Sequence, residues 1–408
     1  MKLVERHIIK RNHRLFVECD KISFLSKNLY NCANYIVRQE FINNSKYLNY
    51  CSINKIMLET DNIDYRQLPA KVSNGVLRLL DKNWKSFFAA IKDYKKNPFK
   101  YLGRPKLPKY KHKFKGRYIV PYEKKAISKR ELIKNNRIRL SKTNIYIKTK
   151  VDYESLQSAR IVPRLGHYVV EIIYNKKVVN HELNYDNKIG IDLGVSNFAS
   201  VGATTGDKFI INGRPLKSIN QYFNKVKSEL QSKLKPGQFN SFRINKLTNK
   251  RNNKINNYLH KASKYIIDYC LTNNIGTIVI GKNLNWKQDI NLSKSNNQNF
   301  VSIPFAIFIE MIQYKAELES IEVIITEESY TSKCSFVDNE SLEHHKKYLG
   351  RRITRGLFSS VKRIKINTDI NGAFNMIRKV FPLFNFNELK YGIEGVAVHP
   401  VIVNLSLT

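Results

Sequence analysis

The sequence is poor in acidic residues, in cysteine and in long apolar runs. Asp and Glu number 33 against 71 Lys and Arg, which gives the 408 residues a formal net charge of +38. A folded chain with this excess repels itself unless a polyanion neutralises it, so nucleic acid is the expected partner. No apolar run approaches the roughly 18 residues that span a bilayer, which excludes a membrane-spanning protein. The first residues are charged and lack the apolar stretch of a secretion signal.

The five cysteines are scattered along the chain and show none of the close pairs typical of metal sites. They are Cys19, Cys32, Cys51, Cys270 and Cys334. We expect them to be reduced thiols in a cytoplasmic protein, which would associate with the nucleoid in a prokaryote or enter the nucleus of a eukaryotic host.

The first hundred residues predict a strand followed by helices. After an alternating stretch to about Phe16, apolar residues recur at three- and four-residue spacing between Ser73 and Tyr94. This spacing predicts an amphipathic helix with one face in the core. Lys71 and Arg78 flank the apolar stripe, and they either lie in solvent or face a phosphate backbone.

The composition changes at Asn97, where proline, glycine, tyrosine and phenylalanine are interleaved with basic residues up to residue 117. Proline and glycine interrupt helices and strands, so this segment is predicted to be a loop or an extended arm. Basic groups interleaved with rings suit single-stranded or A-form nucleic acid, and a solvated linker is the alternative. The predicted nucleic-acid-binding residues of the arm are Arg104, Lys106, Lys109, Tyr110, Lys111 and Lys113.

The rest of the chain predicts two kinds of β structure. Short alternating runs between Tyr118 and Tyr174 predict a small β domain. From about Lys188 a buried strand is followed by two strands joined by a Thr-Gly-Asp turn, and then helices alternate with the buried runs GTIVIG and IEVIITEE. A three-strand meander followed by alternating helices and strands predicts an α/β domain of the ribonuclease-H-like class.

Two carboxylates occupy positions at which this architecture performs chemistry. Asp192 ends the first strand, at the edge where α/β sheets present reactive groups, and Asp369 opens the last helix. Nucleases of this architecture use such acids to hold two Mg²⁺ ions about 4 Å apart, which activate water and stabilise the leaving 3′ oxygen. Asp369 would alternatively be a plain helix N-cap, whereas a carboxylate that closes an apolar strand is costly without a partner.

A third acid is expected beside these two, and the end of the GTIVIG strand is its natural place. That position is Gly281. The next strand ends in Glu327 and Glu328, so a glutamate there would reach the same metal if the two strands are neighbours. The alternative is that both glutamates are surface residues at a strand end.

Several motifs, in order along the chain, resemble those of the TnpB proteins. TnpB is the OrfB product of insertion-sequence transposons and is related to compact type V CRISPR nucleases. The matching segments begin at about residue 65. They are LPAKVSNGVLRLLDKNWKSFF, RPKLPKYKHK, IGIDLGVSNFAS, IVIGKNLNWKQDINLSKSNNQNFVSIPF, ESYTSKCSF, DINGAFNMIRK and GIEGVAVHP.

The resemblance implies an RNA-guided double-stranded DNA endonuclease that depends on a short target-adjacent motif. Asp192 and Asp369 match the first and last acids of a RuvC nuclease domain. A guide RNA from the transposon end would supply specificity by base pairing, while the protein grips the backbone and reads the adjacent motif. The implied domains are a β-barrel-like (wedge) domain at residues 1–17 and 97–185, interrupted by a helical recognition domain at 18–96, and an α/β RuvC domain at 186–408.

The sequence departs from the usual family pattern at the second RuvC acid, where it has Gly281. Eukaryotic Fanzor relatives resemble this chain in lacking that acid and carrying a glutamate further on. Glu328 is slightly favoured over Glu327 as the replacement. Loss of the acid also leaves open a nuclease-inactive, RNA-guided DNA-binding repressor, although retention of the two aspartates favours an active Mg²⁺-dependent nuclease.

The second departure concerns the zinc ribbon of the family, whose two Cys-x-x-Cys pairs are missing. Cys334, with His344 and His345 nearby, cannot supply four tetrahedral ligands, so no structural zinc is expected. The insert at about residues 331–362 is predicted to be a metal-free remnant. The arginines of its LGRRITRGLFSS stretch, Arg351 and Arg352 among them, would meet phosphate.

The last two predicted nucleic-acid contacts lie in the segment that follows the GTIVIG strand. Trp286 and Lys287 lie in a polar loop, where they would line the path of a single strand into the nuclease cleft. A core position for the tryptophan is equally compatible with the sequence.

Overall fold

The computed structural model describes residues 1–282, 302–389 and 399–406. The chain divides into two compact units, Met1–Lys176 and Lys177–Thr408. The second unit therefore begins before the predicted start of the nuclease domain, and the finer division of the first unit into β and helical domains stays a prediction. Within the described residues, no helix combines the length and the apolar character needed to cross a membrane.

The first unit combines one early strand, a run of helices and a set of later strands. Its strands are β1 (Lys2–Ile9), β2 (Val120–Glu123), β3 (Arg137–Arg139), β4 (Tyr146–Lys148), β5 (Leu156–Arg164) and β6 (His167–Asn175). Its α-helices are α1 (Phe16–Asn44), α2 (Tyr50–Glu59), α3 (Ile63–Arg66), α4 (Ala70–Lys96) and α5 (Lys129–Asn135).

Strand β1 and the strands beyond the helices form one antiparallel sheet. The strand order is β1-β6-β5-β2, and β1 pairs with β6 from Lys2 opposite Asn175 to Ile9 opposite Tyr168. Side chains along most of β1 alternate between exposed and half-buried, as the two-residue period of a strand requires. Helices α1 to α4 are therefore an insertion between β1 and β2, which are the two edge strands of one sheet.

Helix α4 buries the apolar stripe that its sequence predicts. Val76, Leu80 and Trp84 lie in the core of the first unit. The Trp84 Nε1–H donates to Oδ1 of Asn34 in α1 at 3.0 Å, so the indole is buried without losing its hydrogen bond. The prediction of a helix with one core face is confirmed.

The second unit contains the predicted alternation of strands and helices. Its strands are β7 (Asn184–Leu193), β8 (Asn197–Ala203), β9 (Lys208–Asn212), β10 (Ile275–Gly281), β11 (Glu322–Thr326), β12 (Arg351–Thr354), β13 (Leu357–Ser359), β14 (Lys365–Asn367) and β15 (Val401–Val403). Its described helices are α6 (Arg214–Ser232), α7 (Phe242–Thr272), α8 (Phe305–Leu318) and α9 (Thr368–Val380).

The main sheet of this unit has the order β11-β10-β7-β8-β9-β15. Strands β7, β8 and β9 form the predicted antiparallel meander, whereas β10 runs parallel to both β7 and β11. The carboxyl ends of β7, β10 and β11 therefore meet at one edge of the sheet, where α/β proteins place their sites. A small sheet of β12, β13 and β14 leads directly into α9.

Helix α9 lies directly against β7, and two glycines permit this approach. A Cβ atom at Gly190 in β7 would collide with the carbonyl oxygen of Ala373 in α9. A Cβ atom at Gly372 in α9 would lie 3.0 Å from Oδ2 of Asp192. Backbone contact between the helix and the strand therefore sets their separation.

Gly190→Ala should destabilise the second unit by about 2 kcal/mol or more, because the added methyl group forces α9 away from β7. Chemical unfolding measures the loss. Gly103→Ala is the control, since a Cβ atom there meets nothing within 4 Å, and its unfolding free energy should change by about 0.5 kcal/mol or less. Equal stability of the two variants would contradict the tight packing.

Candidate active site

Asp192 is the penultimate residue of β7 and lies opposite Ser200 of β8. Burial raises the pKa of the Asp192 carboxyl well above its usual value, and the negative charges of Asp369 and Glu328 raise it further. The positive charge of Arg352 opposes this rise in pKa. The structure therefore brings three of the predicted acids into electrostatic contact, with one predicted cation beside them.

Asp369 lies in the first turn of α9 but does not cap the helix. The cap is Asn367, whose Oδ1 accepts the backbone N–H groups of Asp369 at 3.0 Å and Ile370 at 3.3 Å. The Asp369 carboxylate is therefore available to the site, and its Oδ2 accepts a hydrogen bond from Nδ2 of Asn197 at 2.6 Å. The alternative that Asp369 is a plain N-cap is wrong.

Gly372 brings the two aspartates to the same corner of the unit. It lies three residues after Asp369, and residues at this spacing share one face of a helix. The Asp192 carboxylate packs against the place where a Gly372 side chain would begin. The D-x-x-G sequence at the start of α9 is therefore part of the geometry of the site.

The third acid is Glu328, which follows β11. An acid was expected at the end of the neighbouring strand, β10. Strands β10 and β11 are parallel neighbours, with Gly281 opposite Thr326. A Cβ atom at Gly281 would lie 2.5 Å from Cγ and 2.8 Å from Oε1 of Glu328, so Glu328 fills the space that a side chain at Gly281 would need. Burial raises the pKa of Glu328 to about 7.

The two neighbouring glutamates have different surroundings. Glu327 is exposed, and its Oε2 accepts the Ser329 hydroxyl at 3.3 Å. Glu328, by contrast, packs against Gly281 of the neighbouring strand. The structure therefore favours Glu328 over Glu327 as the third acid of this cluster.

A cleft of about 720 Å³ opens in front of Asp192 and Asp369. Glu328 adjoins Asp192 but does not line this cleft. Four cationic residues line it with the aspartates. They are Arg214, Lys217, Arg352 and Arg355. Such a cleft suits a nucleic acid. Its phosphates would pair with the four cations, while one phosphate would face the two aspartates.

Sequence reasoning found only part of this cationic lining. Arg352 was predicted and lines the cleft, whereas the predicted Arg351 is exposed outside it. Arg355 belongs to the insert whose arginines are predicted to meet phosphate, whereas Arg214 and Lys217 were missed. The last two open α6 directly after β9, and only the folded topology places that helix beside Asp192.

The donor set of the acid cluster fits a divalent cation chemically, because carboxylate oxygens are the preferred ligands of Mg²⁺. Asp192 and Asp369 would hold such an ion in the cleft, and Glu328 adjoins them from β11. Across residues 1–282, 302–389 and 399–406, no three His, Cys, Asp or Glu side chains converge closely enough to hold one ion. The ligand set is therefore two cleft aspartates with a third acid next to one of them.

The basic arm of the first unit is held along α1 by hydrogen bonds to its backbone. These run from Asn34 Nδ2 to the Pro108 carbonyl at 3.0 Å, from Asn31 Nδ2 to the Lys111 carbonyl at 2.8 Å, and from Lys27 Nζ to the Lys113 carbonyl at 2.6 Å. The exposed side chains of the predicted set are Arg104, Lys106, Lys109, Tyr110 and Lys113. The arm has no regular helix or strand from residue 101 to 119, yet it is a docked segment rather than a solvated linker.

Two of the predicted nucleic-acid contacts have partners inside the protein. The Lys111 ammonium is half-buried and lies 5.4 Å from the ring centres of Tyr30 and Tyr118. Arg78 forms an ion pair with Glu123 at 2.5 Å. Lys111 therefore contributes to packing in the protein, whereas the Arg78 side chain stays 55% exposed in a surface ion pair.

Three predicted nucleic-acid contacts remain, namely Lys71, Trp286 and Lys287. Lys71 is exposed in the first turn of α4. Trp286 and Lys287 lie outside the described residues, so their roles stay predictions.

Asp192→Asn should stabilise the metal-free protein by about 1 kcal/mol, because it removes a desolvated charge that repels two other carboxylates. Thermal unfolding in EDTA measures this gain. Mg²⁺ should raise the melting temperature of the unchanged protein and have little effect on the variant.

Asp186→Asn is the matched control, because Asp186 is also in β7 and its side chain is 99% exposed. This control should keep the full Mg²⁺ response. An equal Mg²⁺ response in Asp192→Asn would contradict cation binding at the cluster.

Comparison with known families matches two parts of the chain. Residues 167–287 match OrfB_IS605, described as a probable transposase. Residues 305–376 match the Cas12f1-like TNB domain. The first match contains β7 with Asp192, and the second contains Glu328, the β12 to β14 sheet and Asp369.

Two curated relatives are similar over most of their own length. A TnpB-like protein of Methanocaldococcus jannaschii is 25% identical over 231 residues, which cover 53% of this chain and 78% of the relative. A TnpB-like protein of Acidianus two-tailed virus is 23% identical over 432 residues, which cover 93% of this chain and 86% of the relative.

The fold is also shared with a solved structure. The protein of a Cas12f1–sgRNA–target DNA complex matches with a TM-score of 0.54 and 14% identity, over 88% of this chain and 82% of that chain. The chain is therefore similar in sequence to OrfB transposases and TnpB-like proteins, and it shares its fold with a Cas12f1 protein.

Proposed function

We propose that this protein is an RNA-guided DNA endonuclease of transposon origin, which cuts double-stranded DNA beside a short target-adjacent motif. The observation that carries the proposal is the cleft in which Asp192 and Asp369 lie among four cationic side chains. The TnpB family supports the substrate class, and a protein of the same fold has been solved with guide RNA and target DNA.

The acids form the nuclease centre in this proposal. Asp192, Asp369 and Glu328 would together hold two Mg²⁺ ions. When bound, these ions would supply activation of the attacking water and stabilisation of the leaving 3′ oxygen. The protein's own part is to fix the carboxylates, since Asn197 orients Asp369 and the absence of a side chain at Gly372 lets Asp192 approach it.

The cations of the cleft hold the DNA strand. Arg352 and Arg355 come from the β12–β13 hairpin, while Arg214 and Lys217 come from the start of α6. Guanidinium groups bind phosphate oxygens through two parallel hydrogen bonds, which fix both position and orientation. A single strand held by these cations would present one phosphodiester bond to the two aspartates.

The first unit would hold the guide RNA and read the adjacent motif. The docked arm presents its basic and aromatic side chains to solvent while its backbone is already fixed on α1. A preordered segment loses less conformational entropy on binding than a flexible tail. Base pairing would then supply sequence specificity, as in other guided nucleases.

A nuclease-inactive, RNA-guided DNA-binding repressor is the second candidate. Two observations favour it, namely the absence of an acid at Gly281 and the position of Glu328 outside the cleft lining. Both candidates predict guide-dependent DNA binding, and only cleavage distinguishes them.

Glu328→Gln should lower guided cleavage about 100-fold, because it replaces the charged carboxylate beside Asp192 by a neutral amide. Asp192→Asn and Asp369→Asn should abolish cleavage. Glu327→Gln is the matched control and should cut at the unchanged rate, since Glu327 is exposed and outside the acid cluster. The measurement is single-turnover cleavage of a plasmid by protein co-expressed with its flanking RNA, in Mg²⁺.

Target binding by these four variants should equal that of the unchanged protein, which separates loss of chemistry from loss of structure. Full cutting by Glu328→Gln would overturn the assignment of the third acid. Guide-dependent binding by the unchanged protein without any cleavage would establish the repressor instead.

Replacement of Lys106, Lys109 and Lys113 by glutamate should weaken guide RNA binding and flatten its salt dependence. Each lost phosphate contact removes about 0.7 from the slope of log affinity against log salt concentration for single strands, so the slope should fall by about 2. Filter binding over a range of salt concentrations measures it.

A control of equal charge change replaces Lys125, Arg130 and Lys134, which are exposed around α5. This control should alter the slope less than the arm variant. Equal slopes for the two triple variants would mean that the arm makes no special contact with RNA.

A further inference from the structure

The insert between β11 and α9 has the position of a zinc ribbon but not its ligands. The Cys334 thiol is buried and donates to the Glu343 carbonyl at 3.8 Å. The His345 Nε2 lies 2.8 Å from the Ser341 carbonyl oxygen. Across the described part of the chain, no group of three His, Cys, Asp or Glu residues is able to hold a metal ion. The usual zinc therefore does not fit this insert.

A buried carboxylate occupies the middle of the insert instead. The Glu340 side chain belongs to a residue that is 4% exposed. Its Oε2 accepts the Ser335 N–H at 2.7 Å, and its Oε1 accepts the Leu349 N–H at 2.7 Å. Glu340 thus joins two backbone segments that are distant in sequence, as a metal ion joins the two ends of a ribbon.

The same residue is tied to the helix that carries Asp369. The Glu340 carbonyl oxygen accepts a hydrogen bond from Nη2 of the buried Arg378 in α9 at 2.5 Å. Asn371, also in α9, binds both the Phe336 N–H at 2.9 Å and the Cys334 carbonyl at 2.9 Å. The start of the insert is therefore fixed to α9 through buried polar groups.

The second segment held by Glu340 leads directly to the cleft cations. Leu349 precedes β12 by two residues, and this strand and its following turn carry Arg352 and Arg355. We propose that Glu340 is a positioning residue that replaces the ribbon metal and aligns Arg352 and Arg355 with the acids of the cleft. This inference rests on the proposed nuclease function.

The chemistry of the carboxylate explains why glutamate is needed at this position. Two acceptor oxygens face two N–H donors, so both oxygens are used. A glutamine offers one oxygen and one NH₂ group, and the NH₂ group would face a donor and leave it unpaired. Glu340→Gln therefore breaks one end of the link with almost no change of volume.

The first experiment is hydrogen exchange of the full chain, which requires no cleavage. Glu340→Gln should raise the exchange rates of amides at residues 335–336 and 349–352 about tenfold, with those of β7 and β10 unchanged. Glu343→Gln is the matched control, because this exposed glutamate lies in the same insert. Unchanged exchange in Glu340→Gln would overturn the proposal.

The second experiment tests whether Glu340 acts through the arginines. Glu340→Gln should lower the single-turnover rate of guided cleavage about tenfold, the effect of about 1.4 kcal/mol. In a protein that already carries Arg352→Ala and Arg355→Ala, the same substitution should have no further effect. Additive losses would show a merely structural role and overturn the positioning proposal.

The two experiments also separate this inference from the proposed function. Failure of the unchanged protein to cut its guided target would contradict the nuclease proposal. In that event, exchange alone decides whether Glu340 holds the insert together, and faster exchange at both segments would still support the link.

Discussion

The close approach of α9 to β7 determines what the second unit is able to do. Without side chains at Gly190 and Gly372, the helix lies against the strand backbone, and this contact places Asp369 beside Asp192. Carboxylates held so close repel one another, and burial adds to the cost of their charges. The packing of a helix on a strand therefore maintains a charge arrangement that is unfavourable by itself, which is typical of sites built for a cation.

The sequence was sufficient to locate the acids because their positions follow from local structure. A carboxylate at the end of an apolar strand and another at the start of a helix are visible in the pattern around Asp192 and Asp369. Glu328 could also be predicted, because parallel strands that follow one another in the chain are commonly neighbours in the sheet. The choice between Glu328 and Glu327 required the structure, because adjacent residues beyond a strand point in directions that no periodicity predicts.

The cations were less predictable, since a high net charge gives many candidates and no means of ranking them. Arg214 and Lys217 reach the cleft only through the tertiary placement of α6. Lys111 lies among exposed lysines in the sequence, but its ammonium group packs near two tyrosine rings. Glu340 gave no signal at all, because a buried acceptor for two distant backbone donors leaves no pattern in the sequence.

Glu328 follows the end of β11 by two residues, and β11 lies at the edge of the main sheet among the described strands, next to β10. Edge strands open locally at a lower free energy than central strands, and Glu322 and Ile325 of β11 are exposed to solvent. Warming would therefore detach the third acid in a growing fraction of molecules while the central strands remain folded. For the proposed nuclease, this predicts a temperature optimum below the melting point, with activity that returns on cooling without any refolding of the domain.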